Sequence, residues 1–138
     1  MYASGITIIT NSRWKVGISD PLIPENTKQK IFLKNKALAS SGNYRKFLID
    51  PQTGVRIVHT INPNNGSANQ TNVFATSVIA NNCMTADAYA TAFMAMPLDK
   101  SISLINDDKS LDGMIIYFDS NNEIQTYYSS GFKKLIFD

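Results

Sequence analysis

The chain has few of the features that assign a protein to a class at first sight. Its only cysteine, Cys83, excludes an intrachain disulfide framework, and we expect it to be a packed small hydrophobe rather than a nucleophile. No apolar run approaches the roughly 20 residues that a membrane-spanning helix needs. The net charge of +2 is small and no run of five or more Lys or Arg occurs, so neither a membrane span nor a nucleic-acid partner is expected.

The composition that is present suits one globular domain over residues 1–138. A chain of this length can bury a real core, and its 43% hydrophobic content is typical of soluble proteins. We predict an antiparallel pair at 5–10 and 13–18, a loop at 20–27, a strand-like segment at 30–39, hairpins at 44–59 and 113–128, a strand at 73–80, helices at 85–96 and 98–106, and a short helix or turn at 131–137. The expected fold class is α+β, a mostly antiparallel sheet with one principal helix.

The segment at residues 83–96 (C-M-T-A-D-A-Y-A-T-A-F-M-A-M) carries the strongest functional signal. It is rich in helix formers, and Thr85 is a plausible N-cap that places Asp87 in the first turn, where a carboxylate suits the positive helix end. Asp87 and Thr91 are four residues apart and so share one helix face. Their oxygens are the hard ligands that Mg²⁺ prefers. The alternative is a capped helix in which both side chains only satisfy the helix's own backbone.

Three further blocks precede that helix in a fixed order. They are W-K-V-G-I-S-D-P at 14–21, S-S-G-N-Y-R-K at 40–46 and H-T-I-N-P-N-N-G at 59–66. Together with A-D-A-Y-A-T at 86–91 they resemble the ApbE family of flavin transferases (FAD:protein FMN transferases), in order and in spacing, over nearly the whole chain. A similar run at 49–54 (I-D-P-Q-T-G) is interpreted as an ordinary hairpin turn, because no histidine precedes it.

The resemblance implies a specific reaction and a set of site residues. Such enzymes bind FAD, cleave its pyrophosphate and join the FMN phosphate to a threonine hydroxyl of a target flavoprotein, with Mg²⁺ assisting. The resemblance assigns Asp87 and Thr91 to the metal and assigns no residue a catalytic role. It assigns six residues to FAD binding, from two blocks: Ser41, Gly42, Tyr44, His59, Ile61 and Asn62.

The chain also departs from the family pattern. The family's D-P and T-G become Asn62-Pro63 and Asn65-Gly66, and the chain resembles only the C-terminal half of the enzymes. Three alternatives therefore stay open: part of a flavin transferase, a non-catalytic flavin-binding remnant, or a structural partner domain. An exposed face where the other half would pack favours self-association. Residues 1–3 do not form a signal peptide, whereas the family resemblance implies a cell-envelope or periplasmic location for a full-length parent.

Overall fold

The computed structural model describes residues 1–43, 47–52, 54, 56–58, 60–63, 66, 68 and 71–138. Its strands are β1 (Tyr2–Ala3), β2 (Trp14–Ser19), β3 (Thr27–Leu33), β4 (Lys36–Gly42), β5 (Phe47–Ile49), β6 (Arg56–Val58), β7 (Val73–Ala80), β8 (Asp112–Phe118) and β9 (Ile124–Tyr128). Its helices are α1 (Cys83–Ala95), α2 (Leu98–Asp107) and α3 (Ser130–Lys133). The predicted α+β class with a mostly antiparallel sheet is confirmed.

A five-stranded antiparallel sheet in the order β1-β4-β7-β8-β9 organises the fold. Strand β7 lies at its centre and is buried along most of its length, because its run of β-branched and small apolar residues suits a strand covered on both faces. On one face, α1 packs through Ala86, Ala90 and Phe93. The opposite face packs against Ile31 and Phe132. The two hydrophobic clusters together fix the sheet between α1 and the β2–β3 hairpin.

The N-terminal strand pairing differs from the prediction. Residues 5–10 do not form a strand with residues 13–18, and only an isolated bridge joins Thr7 to Ser12. Strand β2 instead pairs with β3, from Trp14 opposite Leu33 to Ser19 opposite Thr27. Burial explains the outcome, since β3 supplies Ile31 and Leu33 to the core while the 5–10 segment exposes its apolar side chains to solvent.

Helix α1 begins earlier than the sequence predicts. The N-cap is Asn82, whose Oδ1 accepts a hydrogen bond from the backbone N–H of Thr85 at 2.8 Å. Thr85 therefore lies inside the helix, and Asp87 lies beyond the first turn, which contains no acidic residue. The predicted cap was wrong because the Asn82 side chain, three residues before Thr85, already accepts the hydrogen bond that caps the first turn.

The structure also tests the predictions for Cys83 and for the two hairpins. Cys83 is exposed at the start of α1, so the expectation of a packed cysteine was wrong. Near the C-terminus, Phe137 stacks on Phe32 with 4.2 Å between the ring centroids, and Phe132 is fully buried. The predicted hairpins around 50–54 and 120–122 are confirmed as β5–β6 and β8–β9. In the described part of the chain, no helix has the length and hydropathy to cross a membrane.

Candidate functional site

The end of β4 and the middle of α1 meet at one point. The Ser41 hydroxyl oxygen lies 3.3 Å from the Thr91 hydroxyl oxygen, across a separation of 50 residues. Ser41 and Gly42 are the last residues of β4, and Ser41 directs its side chain toward the helix-covered face of the sheet. The structure therefore brings together one block that the resemblance assigned to FAD and one that it assigned to the metal.

Asp87 extends this surface along α1. It lies one helical turn before Thr91, and both side chains are exposed to solvent. A carboxylate beside two hydroxyls, from Thr91 and Ser41, offers oxygen donors only, which fits a hard cation that keeps several of its waters. Within the described residues, no group of three His, Cys, Asp or Glu converges to hold a metal. Any Mg²⁺ here would thus depend on hydroxyl, water or substrate oxygens beside the Asp87 carboxylate.

The two candidate FAD-binding blocks also contact each other. The Thr60 hydroxyl donates to Asn43 Oδ1 at 3.3 Å, and both residues are buried. This contact places the segment that contains Ile61 and Asn62 beside the end of β4. Ile61 is 60% exposed and forms an isolated bridge with Ala68, and the Asn62 carbonyl accepts from the Gly66 amide at 2.8 Å.

Two of the predicted FAD-binding residues fall in segments that the structure does not describe. Tyr44 and His59 lie outside the described residues, as do Arg45 and Asn65. Six of the eight predicted site residues are therefore described: Ser41, Gly42, Ile61, Asn62, Asp87 and Thr91. Of these, Ser41 and Thr91 are in direct contact.

Polar residues that the sequence did not single out hold this region together. The Thr76 hydroxyl, which is almost fully buried, donates to the Ala90 carbonyl at 2.7 Å and so ties β7 to α1. The Thr71 hydroxyl donates to the Met94 carbonyl at 3.0 Å near the other end of the helix. Thr76 is directly opposite Ser41 in the sheet register. The signal in the sequence was the polar pair Thr76 and Ser77 inside a mostly apolar strand, because a buried hydroxyl requires a hydrogen-bond partner.

Comparison with known proteins shows to which family the chain belongs. The sequence profile described as the ApbE family matches residues 1–115. The chain belongs to the ApbE family. The FAD:protein FMN transferase of Vibrio cholerae is 31% identical over 124 residues, which cover 89% of this chain and 36% of that protein. The corresponding protein of Treponema pallidum is 33% identical over 110 residues, covering 77% of this chain and 29% of its own length.

Solved structures of ApbE proteins have the same fold. The flavin transferase ApbE from Vibrio cholerae superposes with a TM-score of 0.75 at 27% identity, covering 95% of this chain and 40% of that one. The ApbE protein from Thermotoga maritima also gives a TM-score of 0.75, at 26% identity, with 97% and 41% covered. The chain thus has the ApbE fold over nearly all of its own length, and it spans less than half the length of these relatives.

Proposed function

We propose that this chain supplies one wall of a site that transfers FMN from FAD to a threonine hydroxyl of a target flavoprotein. In that reaction the threonine oxygen bonds to the phosphorus of the FMN moiety, the pyrophosphate P–O bond breaks, AMP leaves, and the hydroxyl proton passes to solvent or a base. The observation that supports the proposal most directly is the contact of Ser41 with Thr91, because it joins the two family motifs at one exposed surface.

The chain's own residues have distinct tasks in this proposal. Asp87 and Thr91 hold Mg²⁺, which when bound would neutralise charge on the FAD phosphates. The end of β4 at Ser41 and Gly42 and the segment at Ile61 and Asn62 orient the flavin nucleotide. Tyr44 and His59, which belong to the same two blocks, are proposed to contact FAD as well. Because phosphoryl transfer depends chiefly on positioning, these residues act by holding the reactants in place.

The proposal is tested by measuring FMN addition to a threonine-containing acceptor domain by mass spectrometry. The reaction contains FAD, Mg²⁺ and this chain, with or without a polypeptide that carries the part of the Vibrio cholerae transferase not matched here. We expect little transfer by the chain alone and clear transfer by the combination. Asp87→Ala should abolish transfer, whereas Glu123→Ala, which removes an exposed carboxylate from the β8–β9 turn, should leave it unchanged.

The outcomes separate the candidate functions. Robust transfer by the chain alone would contradict the expectation that it is only part of the site. If the chain and the added polypeptide are folded and associated, and bind FAD in the presence of Mg²⁺ but transfer no FMN, the chain is a non-catalytic flavin-binding remnant instead. Full transfer by Asp87→Ala at limiting Mg²⁺ would overturn the assignment of Asp87 to the metal.

A further inference from the structure

Two adjacent isoleucines lie in a tight turn on the protein surface. Ile8 and Ile9 are 99% and 97% exposed, and they belong to the turn at residues 8–11, which is called the tip below. Such turns usually contain Gly, Pro, Asn, Asp or Ser. Single exposed apolar side chains are normal, but a pair with almost no contact to the rest of the described chain suggests a binding surface.

Hydrogen bonds at its base hold the tip in place. The Thr7 amide donates to the Ser12 carbonyl at 2.8 Å, which closes the turn. Below that bond, the Trp14 indole N–H donates to the Ser4 carbonyl at 2.9 Å. The tip therefore extends about two residues, or about 7 Å, beyond its last backbone bridge.

Basic residues surround the base of the tip. Arg13 and Lys15 are both exposed around the start of β2. Extending the β2–β3 register by one residue pair places Lys34, which is also exposed, opposite Arg13. Residues 1–19 and 26–43, which contain the tip and strands β1 to β4, include no Asp or Glu. This part of the fold therefore carries an excess of positive charge, which favours an anionic partner.

The arrangement of these groups matches the layers of a membrane surface. The tip presents Ile8 and Ile9, and behind them lie Trp14, which is 42% exposed, and the basic residues. At a bilayer surface the acyl chains are followed by an interface that favours Trp and by phosphates that attract Lys and Arg. The length of the tip, about 7 Å, lies within the roughly 5–10 Å that interfacial segments reach. A protein partner would instead need a deep apolar pocket with an acidic rim.

We propose that the tip inserts Ile8 and Ile9 into the surface of a bilayer that contains anionic lipids, while Arg13, Lys15 and Lys34 bind the lipid phosphates. The isoleucines supply apolar area, and the basic residues supply the preference for anionic lipid. The contact is peripheral and reversible. The proposal does not depend on flavin transfer.

The tip lies at the opposite end of β4 from the candidate site. At its base, the Gly5 amide donates to Asn35 Oδ1 at 2.7 Å, one residue before β4 begins at Lys36. Ser41 is five residues further along the strand, which is about 17 Å. A tip bound to a bilayer should therefore leave the surface at Ser41 and Thr91 accessible.

The only tryptophan of the chain, Trp14, makes the test direct because it lies at the base of the tip. We would record its fluorescence with vesicles of phosphatidylcholine that contain about 30% phosphatidylglycerol as the anionic lipid. Bound protein would be measured by sedimentation of the same vesicles. We expect a blue shift of the Trp14 emission, and binding that weakens at high salt and with phosphatidylcholine alone.

The isoleucines are tested by a double substitution. Ile8→Ser with Ile9→Ser should reduce vesicle binding by at least about tenfold, because the apolar area that enters the bilayer is lost. The matched control is Leu22→Ser with Ile23→Ser, which changes two residues that are each 52% exposed in the loop at the other end of β2. This control should bind vesicles as the parent does.

The basic residues are tested in the same way. Arg13→Gln with Lys34→Gln should weaken binding to the anionic vesicles by at least about tenfold and leave binding to phosphatidylcholine alone unchanged. Lys100→Gln with Lys109→Gln removes the same charge from exposed positions in and after α2, and should keep the binding of the parent. Equal urea midpoints for parent and variants would show that the fold is intact.

Four results would overturn the proposal. The first is no sedimentation of the parent with anionic vesicles, and the second is sedimentation without a shift of the Trp14 emission. The third is an equal loss of binding in the Ile8/Ile9 variant and the Leu22/Ile23 control. The fourth is loss of binding when the chain associates with a polypeptide that carries the unmatched part of the Vibrio cholerae transferase. That loss would identify the rest of the fold, rather than a bilayer, as the partner of the tip.

Discussion

The hydroxyl oxygens of Ser41 and Thr91 lie 3.3 Å apart, although 50 residues separate them in the chain. Ser41 lies at the end of strand β4 and Thr91 lies in the middle of helix α1. Their contact therefore shows where α1 packs on the sheet. The buried hydrogen bond from Thr76, which lies opposite Ser41, to the carbonyl of Ala90, which precedes Thr91, stabilises this packing. The Asp87 carboxylate, one turn earlier on α1, thereby belongs to the same surface as the end of β4.

Thr91→Val should reduce FMN transfer without unfolding the protein. The change removes the hydroxyl and keeps the β-branched shape at an exposed helix position, so the free energy of unfolding should change by less than about 0.5 kcal/mol. FMN transfer by the variant, measured with the added Vibrio cholerae polypeptide, should fall most at limiting Mg²⁺. Thr91→Ser should retain FMN transfer. Equal transfer by the valine variant and the parent at limiting Mg²⁺ would remove Thr91 from the metal site.

Ser129→Ala should destabilise the C-terminal region. The buried Ser129 hydroxyl accepts from the amides of Phe132 and Gly113, both at 3.2 Å, and donates to Asp112 Oδ1 at 2.8 Å. Loss of this cap should lower the free energy of unfolding by about 1–2 kcal/mol in urea denaturation. Ser130→Ala, at the exposed neighbouring position, is the matched control and should be nearly neutral. Equal midpoints for the two variants would show that the cap contributes nothing.

Gly131→Ala should also be destabilising, for a steric reason. A Cβ at this position would overlap the carboxylate of Asp112, which already accepts from Ser129. The side chain of Asp112 would have to move and give up that bond, at a cost of about 1–3 kcal/mol. Gly17→Ala is the control, because its Cβ would meet Thr27 at an ordinary contact distance of 3.4 Å. Equal decreases in melting temperature for the two variants would contradict this account.

Asp119 should make the β8–β9 hairpin sensitive to acid. The backbone N–H of Glu123 and then the side-chain amide of Gln125 donate to this carboxylate and lower the pKa of Asp119. A lowered pKa in the folded state contributes stability that is present above the unfolded pKa of about 3.9 and is lost as the pH falls through the folded pKa. Asp119→Asn should therefore flatten the acid limb of a plot of melting temperature against pH.

The control for that experiment is Asp138→Asn, at the exposed last residue of the chain. This variant removes a carboxylate outside the β8–β9 turn and should keep the acid limb of the parent. An unchanged acid limb in Asp119→Asn would mean that the bonds from Glu123 and Gln125 contribute no pH dependence.

The sequence alone located the elements whose signals are local. Strand β7 matched the prediction at both ends, and the two hairpins were found because alternating apolar residues flank clusters of turn formers. The motif blocks were also sufficient to indicate the ApbE family, and the match over residues 1–115 confirms it. Periodicity and turn chemistry act over a few neighbouring residues, so a linear reading is enough to detect them.

Pairing partners and caps required the tertiary structure. Strand β2 had a plausible neighbour in residues 5–10, yet it pairs with β3 because Ile31 and Leu33 can reach the core. The helix is capped by Asn82 rather than Thr85; both residue types can cap a helix, and the course of the folded chain decides which one does. Each of these choices depends on which surfaces are buried together, and burial is decided by elements far away in the chain.

The candidate site shows the same division. The sequence determined which oxygen-bearing residues lie on one face of α1, since Asp87 and Thr91 are four residues apart and the helix repeat is 3.6 residues. Only the tertiary structure decided that Ser41 faces Thr91 and that Thr60 contacts Asn43. The physical reason is that helix periodicity is set by local backbone geometry, whereas these contacts arise only when the hydrophobic core fixes the positions of distant segments.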